Sequence, residues 1–174
     1  DAIRGIDYAV SRGAKVLSNS WGGGGYSQLL DDAVQRAVNR GVIFVAAAGN
    51  NGMNIDTSEN YPSNYANVIG VGSSDASDSR SSFSNYGPAH VEIFAPGSAI
   101  YSTYPNGQYK TLSGTSMATP QVAGAIALAE SVKSGITKAA VMEDICASAA
   151  GRLLEFSQCG RMDVGQFIRR VSTR

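Results

Sequence analysis

Ser116 is the residue of this 174-residue sequence whose neighbours most clearly indicate chemistry. It lies in the heptapeptide GTSMATP at residues 114–120, just before an alanine-rich stretch that predicts a helix over residues 116–132. A serine at a helix N-terminus lies close to free backbone N–H groups and to the positive end of the helix dipole, which both favour an anion. Acyl transfer to a serine creates such an anion, so Ser116 is a candidate nucleophile. The alternative is that Thr115 or Ser116 only caps the helix.

A second polar residue follows an apolar run at residues 42–48. A run without polar alternation predicts a parallel strand that is covered on both faces. Asn50 comes directly after this strand and Gly49, where the crevice of an α/β sheet binds ligands. Its side-chain amide is therefore a candidate donor to the oxyanion. The alternative is a turn residue beside Asn51 and Gly52.

These two motifs and a third one, SNSWGG at residues 18–23, together resemble the subtilase family of serine proteases (peptidase S8 type). Residues 114–120 resemble the segment with the active serine, and AAAGN at residues 46–50 resembles the segment whose Asn donates to the oxyanion. Residues 18–23 resemble the strand to whose edge an extended substrate adds. The resemblance implies that the pocket for the side chain before the scissile bond is lined by Ser20, Trp21, Gly22, Ala47, Ala48 and Gly49. For Trp21, packing in the core is the alternative.

The family's catalytic triad is only partly present in this sequence. Subtilases carry Asp, His and Ser in that order along the chain, and the segments that would supply the Asp and the His do not occur here. The only histidine is His90, in the sequence GPAHV at residues 87–91, which predicts an exposed loop rather than a general base. No pattern places Lys110 or Lys133 beside Ser116 to replace it.

The resemblance implies an α/β fold with three layers, a mostly parallel sheet with helices on both faces, and a missing N-terminal part. We interpret residues 1–174 as the C-terminal portion of one subtilase-like catalytic domain. The implied function is a serine endopeptidase that forms an acyl-enzyme on Ser116, with the general-base His and the orienting Asp upstream of this chain. The segment alone is expected to be inactive and, with an exposed sheet edge, poorly soluble or weakly folded. The alternative function is an inactive fragment that binds a peptide or a partner protein.

The resemblance also implies ligands, partners and a location. No cofactor is required, but relatives often hold a cation between backbone carbonyls and an Asp, which implies a possible structural calcium at Ala66, Val68 and Glu92. A solvated Glu92 is the alternative. The expected partners are a protein or peptide substrate and, further, a propeptide or the N-terminal part of the same protein. Secretion, or a secretory-pathway compartment, is the implied location.

Two local features remain open in the sequence. The Tyr61-Pro62 bond is cis in the family segment that it resembles. Cys146 and Cys159 are 13 residues apart, which fits neither a C-x-x-C motif nor a zinc spacing. A disulfide and a pair of reduced, buried thiols are both compatible with that spacing.

The composition excludes several other functions. Fourteen basic residues balance fourteen acidic ones, which argues against binding nucleic acid by phosphate neutralisation and against a polybasic membrane patch. No apolar run approaches the length of about 20 residues that a membrane-spanning helix needs. One histidine and two cysteines leave few ligands for zinc.

The remaining elements follow from apolar periodicity and from turn residues. We expect a first helix that ends at Gly13, a helix over residues 29–38 that ends at Gly41, and two C-terminal helices. We also expect a surface loop at residues 75–84. The predicted strands are residues 15–20, 42–48 and 68–71, with a hairpin at 99–103 and 108–112; the predicted C-terminal helices are 137–149 and 163–171.

Overall fold

Four short parallel strands form the central sheet of the computed structural model, which describes residues 1–151 and 153–174. The strands run β1 Val16–Asn19, β2 Ile43–Ala47, β3 Val68–Ser74 and β4 Ile93–Pro96, and they pair in that order. Every pairing in this sheet is parallel. The predicted α/β class is therefore confirmed.

Helices cover both faces of the sheet, as predicted. Two helices pack on one face and three on the other. The first two are α1 Ala2–Ser11 and α2 Gln28–Asn39; the other three are α3 Thr115–Val132, α4 Lys138–Ser148 and α5 Val164–Thr173. None of the helices that the structure describes combines the length and the apolar character needed to cross a membrane.

Strand β2 shows why this part of the sequence reads as one apolar run. Successive side chains of a strand point to opposite faces, and here both faces are covered. Ile43 and Val45 pack toward α3, whereas Phe44 and Ala46 pack toward α1 and α2. All five residues of β2 are buried, so the end of this strand is held in place from both sides.

An antiparallel hairpin stands apart from the main sheet. It consists of β5 Ile100–Tyr104 and β6 Gln108–Leu112, as predicted. Asn106 and Gly107 in its turn both have a positive φ, of 64° and 70°, which is the conformation that Asn-Gly turns favour. The hairpin leads directly into α3 and therefore lies next to Ser116.

The sequence did not reveal β4 as a strand, and it underestimated β3. Strand β4 has only four residues and ends in a proline, so it has too little periodicity to be recognised. Strand β3 continues to Ser74 through Gly72, a residue with low strand propensity. The ring of Phe94 packs over Gly72 so closely that an added Cβ would lie 2.6 Å from one ring carbon, Cδ1.

The predicted loop at residues 75–84 lies only partly on the surface. Ser81 and Ser84 are buried rather than exposed. The hydroxyl of Ser84 accepts a hydrogen bond from the N–H of Ser73 (2.9 Å), and the hydroxyls of Ser81 and Ser73 are 2.8 Å apart. Because these polar groups satisfy one another, the segment can return into the core beneath β3.

The two cysteines are joined in the structure. A disulfide links Cys146 in α4 to Cys159, which lies on the segment before α5. Nearby, the buried carboxylate of Asp144 accepts a hydrogen bond from Nε of Arg174 (2.9 Å). Both contacts fasten the C-terminal helix α5 and the segment before it to α4.

We predict that loss of this disulfide destabilises the fold. The bridge closes a loop of 13 residues, and closing a loop of that size stabilises a protein by about 3 kcal/mol. Unfolding of the full-length protein by urea should therefore show a lower midpoint for the double variant Cys146→Ser/Cys159→Ser and for reduced wild type than for oxidised wild type. Reductant should leave the double variant unchanged. Equal midpoints for oxidised and reduced wild type would contradict the prediction.

Candidate active site

Thr115, the first residue of α3, connects the start of that helix to the end of β2. Its backbone N–H and its hydroxyl both donate hydrogen bonds to Oδ1 of Asn50, at 2.8 and 3.0 Å. The N–H of Gly49 in turn donates to the hydroxyl of Thr115 (3.2 Å). The first N–H groups of a helix have no acceptor within the helix, so the side chain of Asn50 satisfies one of them.

These bonds also determine how the amide of Asn50 is oriented. Because Oδ1 accepts two hydrogen bonds from Thr115, the amide nitrogen Nδ2 is turned away from that residue. Among the described residues, none accepts a hydrogen bond from this nitrogen. Asn50 and Ser116 line the same cleft, so the amide provides a free donor beside the serine.

Ser116 is also bonded to the end of β1. Its hydroxyl donates to the carbonyl of Ser20 (3.2 Å), and the hydroxyl of Ser20 donates to the carbonyl of Ser116 (2.9 Å). Ser20 follows β1 directly, and Asn50 lies shortly after β2. The site is therefore assembled at the carboxyl ends of two adjacent parallel strands, where α/β folds bind their ligands.

A cleft of about 290 Å³ opens beside Ser116. It contains the two candidate catalytic residues and most of the residues expected to bind substrate. Its lining residues are Ser20, Trp21, Gly22, Gly23, Ala47, Gly49, Asn50, Asn51, Asn60, Thr115 and Ser116. Trp21 is 39% exposed, so it forms a wall of the cleft rather than part of the core.

The side chain of Ala48 does not line this cleft. It is fully buried and packs with Ile55, Val91 and Phe94. Side chains alternate along an extended chain, so Ala47 and Ala48 cannot both face the same side. Of these two expected pocket residues, the structure places only Ala47 in the cleft.

Asn51 and Asn60 were missed by the sequence analysis. The amide nitrogen of Asn60 donates to the hydroxyl of Ser63 (2.9 Å), which holds Asn60 against the cleft. The same loop carries the Tyr61-Pro62 bond, which is cis as the resemblance implied. The carbonyl of Tyr61 accepts the N–H of Gly23 (2.9 Å) and so ties this loop to the other wall. No sequence pattern around Asn60 indicates this contact.

Asn85 supports the loop that carries Asn50. It is buried, and its Oδ1 accepts hydrogen bonds from the N–H groups of Asn51 and Met53, both at 3.0 Å. Its Nδ2 donates to the carbonyl of Ala48 (2.8 Å). Because one side chain binds the backbone on both sides of Asn50, Asn85 positions that residue without touching the cleft itself.

A second cavity, of about 180 Å³, lies on the hairpin side of Ser116. Its lining residues are Ile100, Ser102, Thr103, Lys110, Leu112, Ser116, Met117 and Pro120. The structure thus places Lys110 near Ser116, which the sequence did not suggest. Lys133 lies elsewhere and donates to the carbonyl of Arg174 (3.0 Å). Among the described residues, no hydrogen bond joins Lys110 to Ser116.

His90 does not take part in the site. Its Nδ1 lies 3.1 Å from a carboxylate oxygen of Asp56, and its side chain is 34% exposed. It lines neither of the two cavities beside Ser116. In the structure His90 is a half-buried residue in contact with Asp56 rather than a free loop residue.

The oxygens expected to bind calcium have protein partners. The carbonyl of Ala66 accepts a hydrogen bond from Nε2 of Gln35 (2.9 Å), and Oε2 of Glu92 accepts the N–H of Gly70 (2.5 Å). Val68 opens β3 with a buried side chain. Calcium takes about six to eight oxygen ligands, and no cluster of three or more acidic, His or Cys side chains suited to a metal occurs in the described chain. Calcium at Ala66, Val68 and Glu92 therefore stays an untested expectation.

Glu92 is instead a buried carboxyl group. Burial raises its pKa to about 7, although the hydrogen bond from Gly70 and the nearby charge of Lys138 oppose the shift. Burial lowers the pKa of Lys138, and the charge of Glu92 opposes that shift. The carboxyl group is therefore more easily protonated in the folded protein than in the unfolded chain.

Comparison with protein families identifies the relatives of this chain. The model of the subtilase family matches residues 1–161. Thermitase of Thermoactinomyces vulgaris is 54% identical over 124 residues, which are 71% of this chain and 43% of that protein. Subtilisin DY of Bacillus licheniformis is 46% identical over 127 residues, 72% of this chain and 46% of that protein. The chain thus spans less than half the length of these relatives.

Solved structures show the same fold. The prenylagaramide maturation protease PagA superposes with a TM-score of 0.85 at 32% identity, over 98% of this chain and 66% of that one. The self-cleaved protease domain of PatA gives a TM-score of 0.85 at 33% identity, over 99% of this chain and 67% of that one. These matches extend across nearly all of the chain, including the C-terminal helices.

We predict that Glu92 makes stability fall as pH rises. Its pKa of about 7 in the folded protein lies above the ordinary value of 4.5, so its stabilising effect is full below pH 4.5 and lost by about pH 7. Glu92→Gln keeps an acceptor for Gly70 and should remove this loss, up to about 3 kcal/mol. The midpoints of urea unfolding of the full-length protein at acid and at alkaline pH, compared between wild type and Glu92→Gln, measure this loss of stability.

The exposed Glu155 provides the matched control for this experiment. Glu155→Gln should follow the pH dependence of wild type, whereas Glu92→Gln should be stabilised relative to wild type at alkaline pH only. Parallel curves for wild type and Glu92→Gln would show that Glu92 keeps its ordinary pKa in the folded protein.

Proposed function

Because this chain belongs to the subtilase family, we propose that it forms part of a serine endopeptidase in which Ser116 is the nucleophile. The observation that carries this proposal is the orientation of Asn50. Its oxygen is bound to Thr115, and its nitrogen is left free beside Ser116. A donor fixed in this way can bind negative charge that develops on a substrate carbonyl without having to rearrange.

The reaction begins with attack by Oγ of Ser116 on the carbonyl carbon of the scissile bond. The carbonyl oxygen becomes an oxyanion, which Nδ2 of Asn50 and the N–H of Ser116 stabilise. The proton of the serine passes to a histidine and from there to the leaving amine, which departs and leaves an ester on Ser116. Water then attacks this ester by the same route and releases the acid.

The histidine and its orienting aspartate are proposed to come from residues outside this chain. In the described part of the chain, His90 is bonded to Asp56 and does not line the cleft. The relatives are more than twice as long as the segment that matches them. A serine without a base is a weak nucleophile, so residues 1–174 alone are expected to be inactive.

The substrate is proposed to be an extended peptide. It would lie along the edge formed by Ser20, Trp21 and Gly22, with hydrogen bonds between the two backbones. The side chain before the scissile bond would enter the cleft of about 290 Å³. Small residues on its other wall, Ala47 and Gly49, leave room for a sizeable side chain.

A second candidate function is binding of a peptide or a partner protein without catalysis. The hydroxyl of Ser116 donates to the carbonyl of Ser20 rather than to a base, and this favours a binding role for the chain by itself. Both functions use the same cleft. They differ in whether Ser116 reacts in the complete protein.

We also propose a secretory location and further partners. The Cys146–Cys159 disulfide fits an oxidising compartment, because such bonds are rare in the cytosol. The edge of β1 that is not paired within the described sheet could receive an N-terminal part of the same protein. A propeptide would occupy the substrate cleft, since it presents the same extended backbone.

A serine-directed phosphonate tests the nucleophile. The full-length protein that carries this chain should be labelled stoichiometrically, and peptide mapping should place the label on Ser116. Ser116→Ala should abolish labelling, whereas Ser113→Ala, three residues earlier, should not. Absence of label on folded full-length protein would reject the protease and favour the binding module.

Substitution of Asn50 tests the oxyanion donor. In subtilisin, loss of the corresponding donor lowers kcat by about 10²–10³. Asn50→Ala in the full-length protein should lower kcat by that factor with little change in KM, because the donor acts mainly on the transition state. Asn39→Ala, at the end of α2, is the control. An unchanged kcat would remove Asn50 from the mechanism.

A further inference from the structure

The hairpin of β5 and β6 turns one face toward Ser116. Along each strand alternate side chains share a face, and Ser102 pairs with Lys110 while Ile100 pairs with Leu112. All four line the cavity of about 180 Å³ that also contains Ser116. The inner face of the hairpin is thus one wall of a space beside the nucleophile.

The opposite face of the hairpin is aromatic and exposed. Tyr101 and Tyr109 stack there, with ring centroids 5.4 Å apart and an angle of 20° between the rings. This diagonal pair stabilises the two-stranded sheet from its outer side. The inner face therefore keeps its orientation toward α3.

Lys110 brings a positive charge to the inner face that no acidic residue neutralises. Its ammonium lies 5.0 Å from the centroid of the Tyr104 ring, a cation–π contact. None of the ion pairs among the described residues includes Lys110, although this chain has equal numbers of acidic and basic residues. Among the described residues that line this cavity, Lys110 is the only charged one, so the cavity would favour an anion.

Under the proposed function, the two cavities beside Ser116 would receive different parts of the substrate. The cleft next to Asn50 takes the residues before the scissile bond, according to the proposed function. The chain after that bond must then continue on the other side of the attacked carbonyl, along the cavity of about 180 Å³. Lys110 consequently faces the leaving group and not the acyl group.

We propose that Lys110 makes this protease prefer an acidic side chain on the first residue after the scissile bond. This inference rests on the proposed function. The carboxylate would pair with the ammonium of Lys110, while its methylene groups would contact Leu112, Met117 and Pro120. This apolar surface beside a cation suits the side chain of Asp or Glu better than that of a neutral or a basic residue. Lys110 determines specificity and takes no part in bond breaking.

Competition between amines and water for the acyl-enzyme tests this preference. The amine nitrogen of the added peptide attacks the ester carbon, a peptide bond forms, and Oγ of Ser116 leaves and regains its proton. The probes are the amidated dipeptides Glu-Ala, Gln-Ala and Lys-Ala, offered to the full-length protein after acylation with a peptide ester. Amidation removes the terminal carboxylate, so any effect of negative charge comes from the side chain.

We expect Glu-Ala to exceed Gln-Ala in the ratio of aminolysis to hydrolysis by about two- to fivefold, since an exposed ion pair is weak. Added salt should reduce this preference. Lys110→Gln should abolish the preference for Glu-Ala, and Lys110→Glu should reverse it in favour of Lys-Ala. Arg12→Gln, which removes a distant cation, should preserve the preference. The proposal would be overturned if wild type gave equal ratios for Glu-Ala and Gln-Ala, or if Lys110→Gln kept the preference of wild type. It would also be overturned if Lys110→Gln lowered the ratios for all three amines equally.

A binding measurement separates this proposal from the proposed function. Absence of an acyl-enzyme would mean that the protease itself is rejected. The same dipeptides are therefore also titrated into the full-length protein, with the methyl resonance of Met117 as the readout. Glu-Ala should bind about two- to fivefold more tightly than Gln-Ala, and Lys110→Gln should remove the difference. Equal affinities would reject the acidic preference independently of any reaction.

Discussion

The hydrogen bonds from Thr115 to Oδ1 of Asn50 are the contact on which the site depends. They join the start of α3 to the end of β2, and they decide which end of the Asn50 amide faces the cleft. The reciprocal bonds between Ser116 and Ser20 add the end of β1 to the same junction. Three elements far apart in the sequence are thereby brought to one point, and the proposed nucleophile Ser116 and the proposed oxyanion donor Asn50 lie there together.

The rest of the fold keeps this junction from moving. Strand β2 is buried on both faces, so its end cannot shift without disturbing two layers of packing. Asn85 holds the loop after β2 through bonds to Ala48, Asn51 and Met53. A buried amide that satisfies buried backbone groups is costly to lose, because each group would remain without a partner. The position of the proposed donor is therefore held largely by residues that do not line the cleft, such as Asn85.

The sequence predicts those parts of the site that lie at the ends of regular elements. Ser116 and Asn50 are candidates because each stands at the end of a regular element within a segment that resembles the subtilase family, and the structure places both in one cleft. Asn85 could not be found in this way, since its partners are more than 30 residues away and no periodicity connects them. The position of Lys110 likewise follows from how the hairpin packs against α3.

Other misses have local causes. Ala48 looked like a pocket residue because it stands in a family motif, but strand alternation turns its side chain into the core. The carboxyl group of Glu92 accepts a hydrogen bond from the N–H of Gly70, a contact that no sequence pattern indicates. We propose above all that Asn50 presents its amide nitrogen to the oxyanion while Thr115 binds the amide oxygen of Asn50. A crystal structure of the phosphonylated full-length protein tests this arrangement most directly. Nδ2 of Asn50 should lie within about 3.1 Å of the phosphonyl oxygen, while Oδ1 still accepts the hydrogen bonds from Thr115. A reversed Asn50 amide, or a phosphonyl oxygen bound elsewhere, would contradict it.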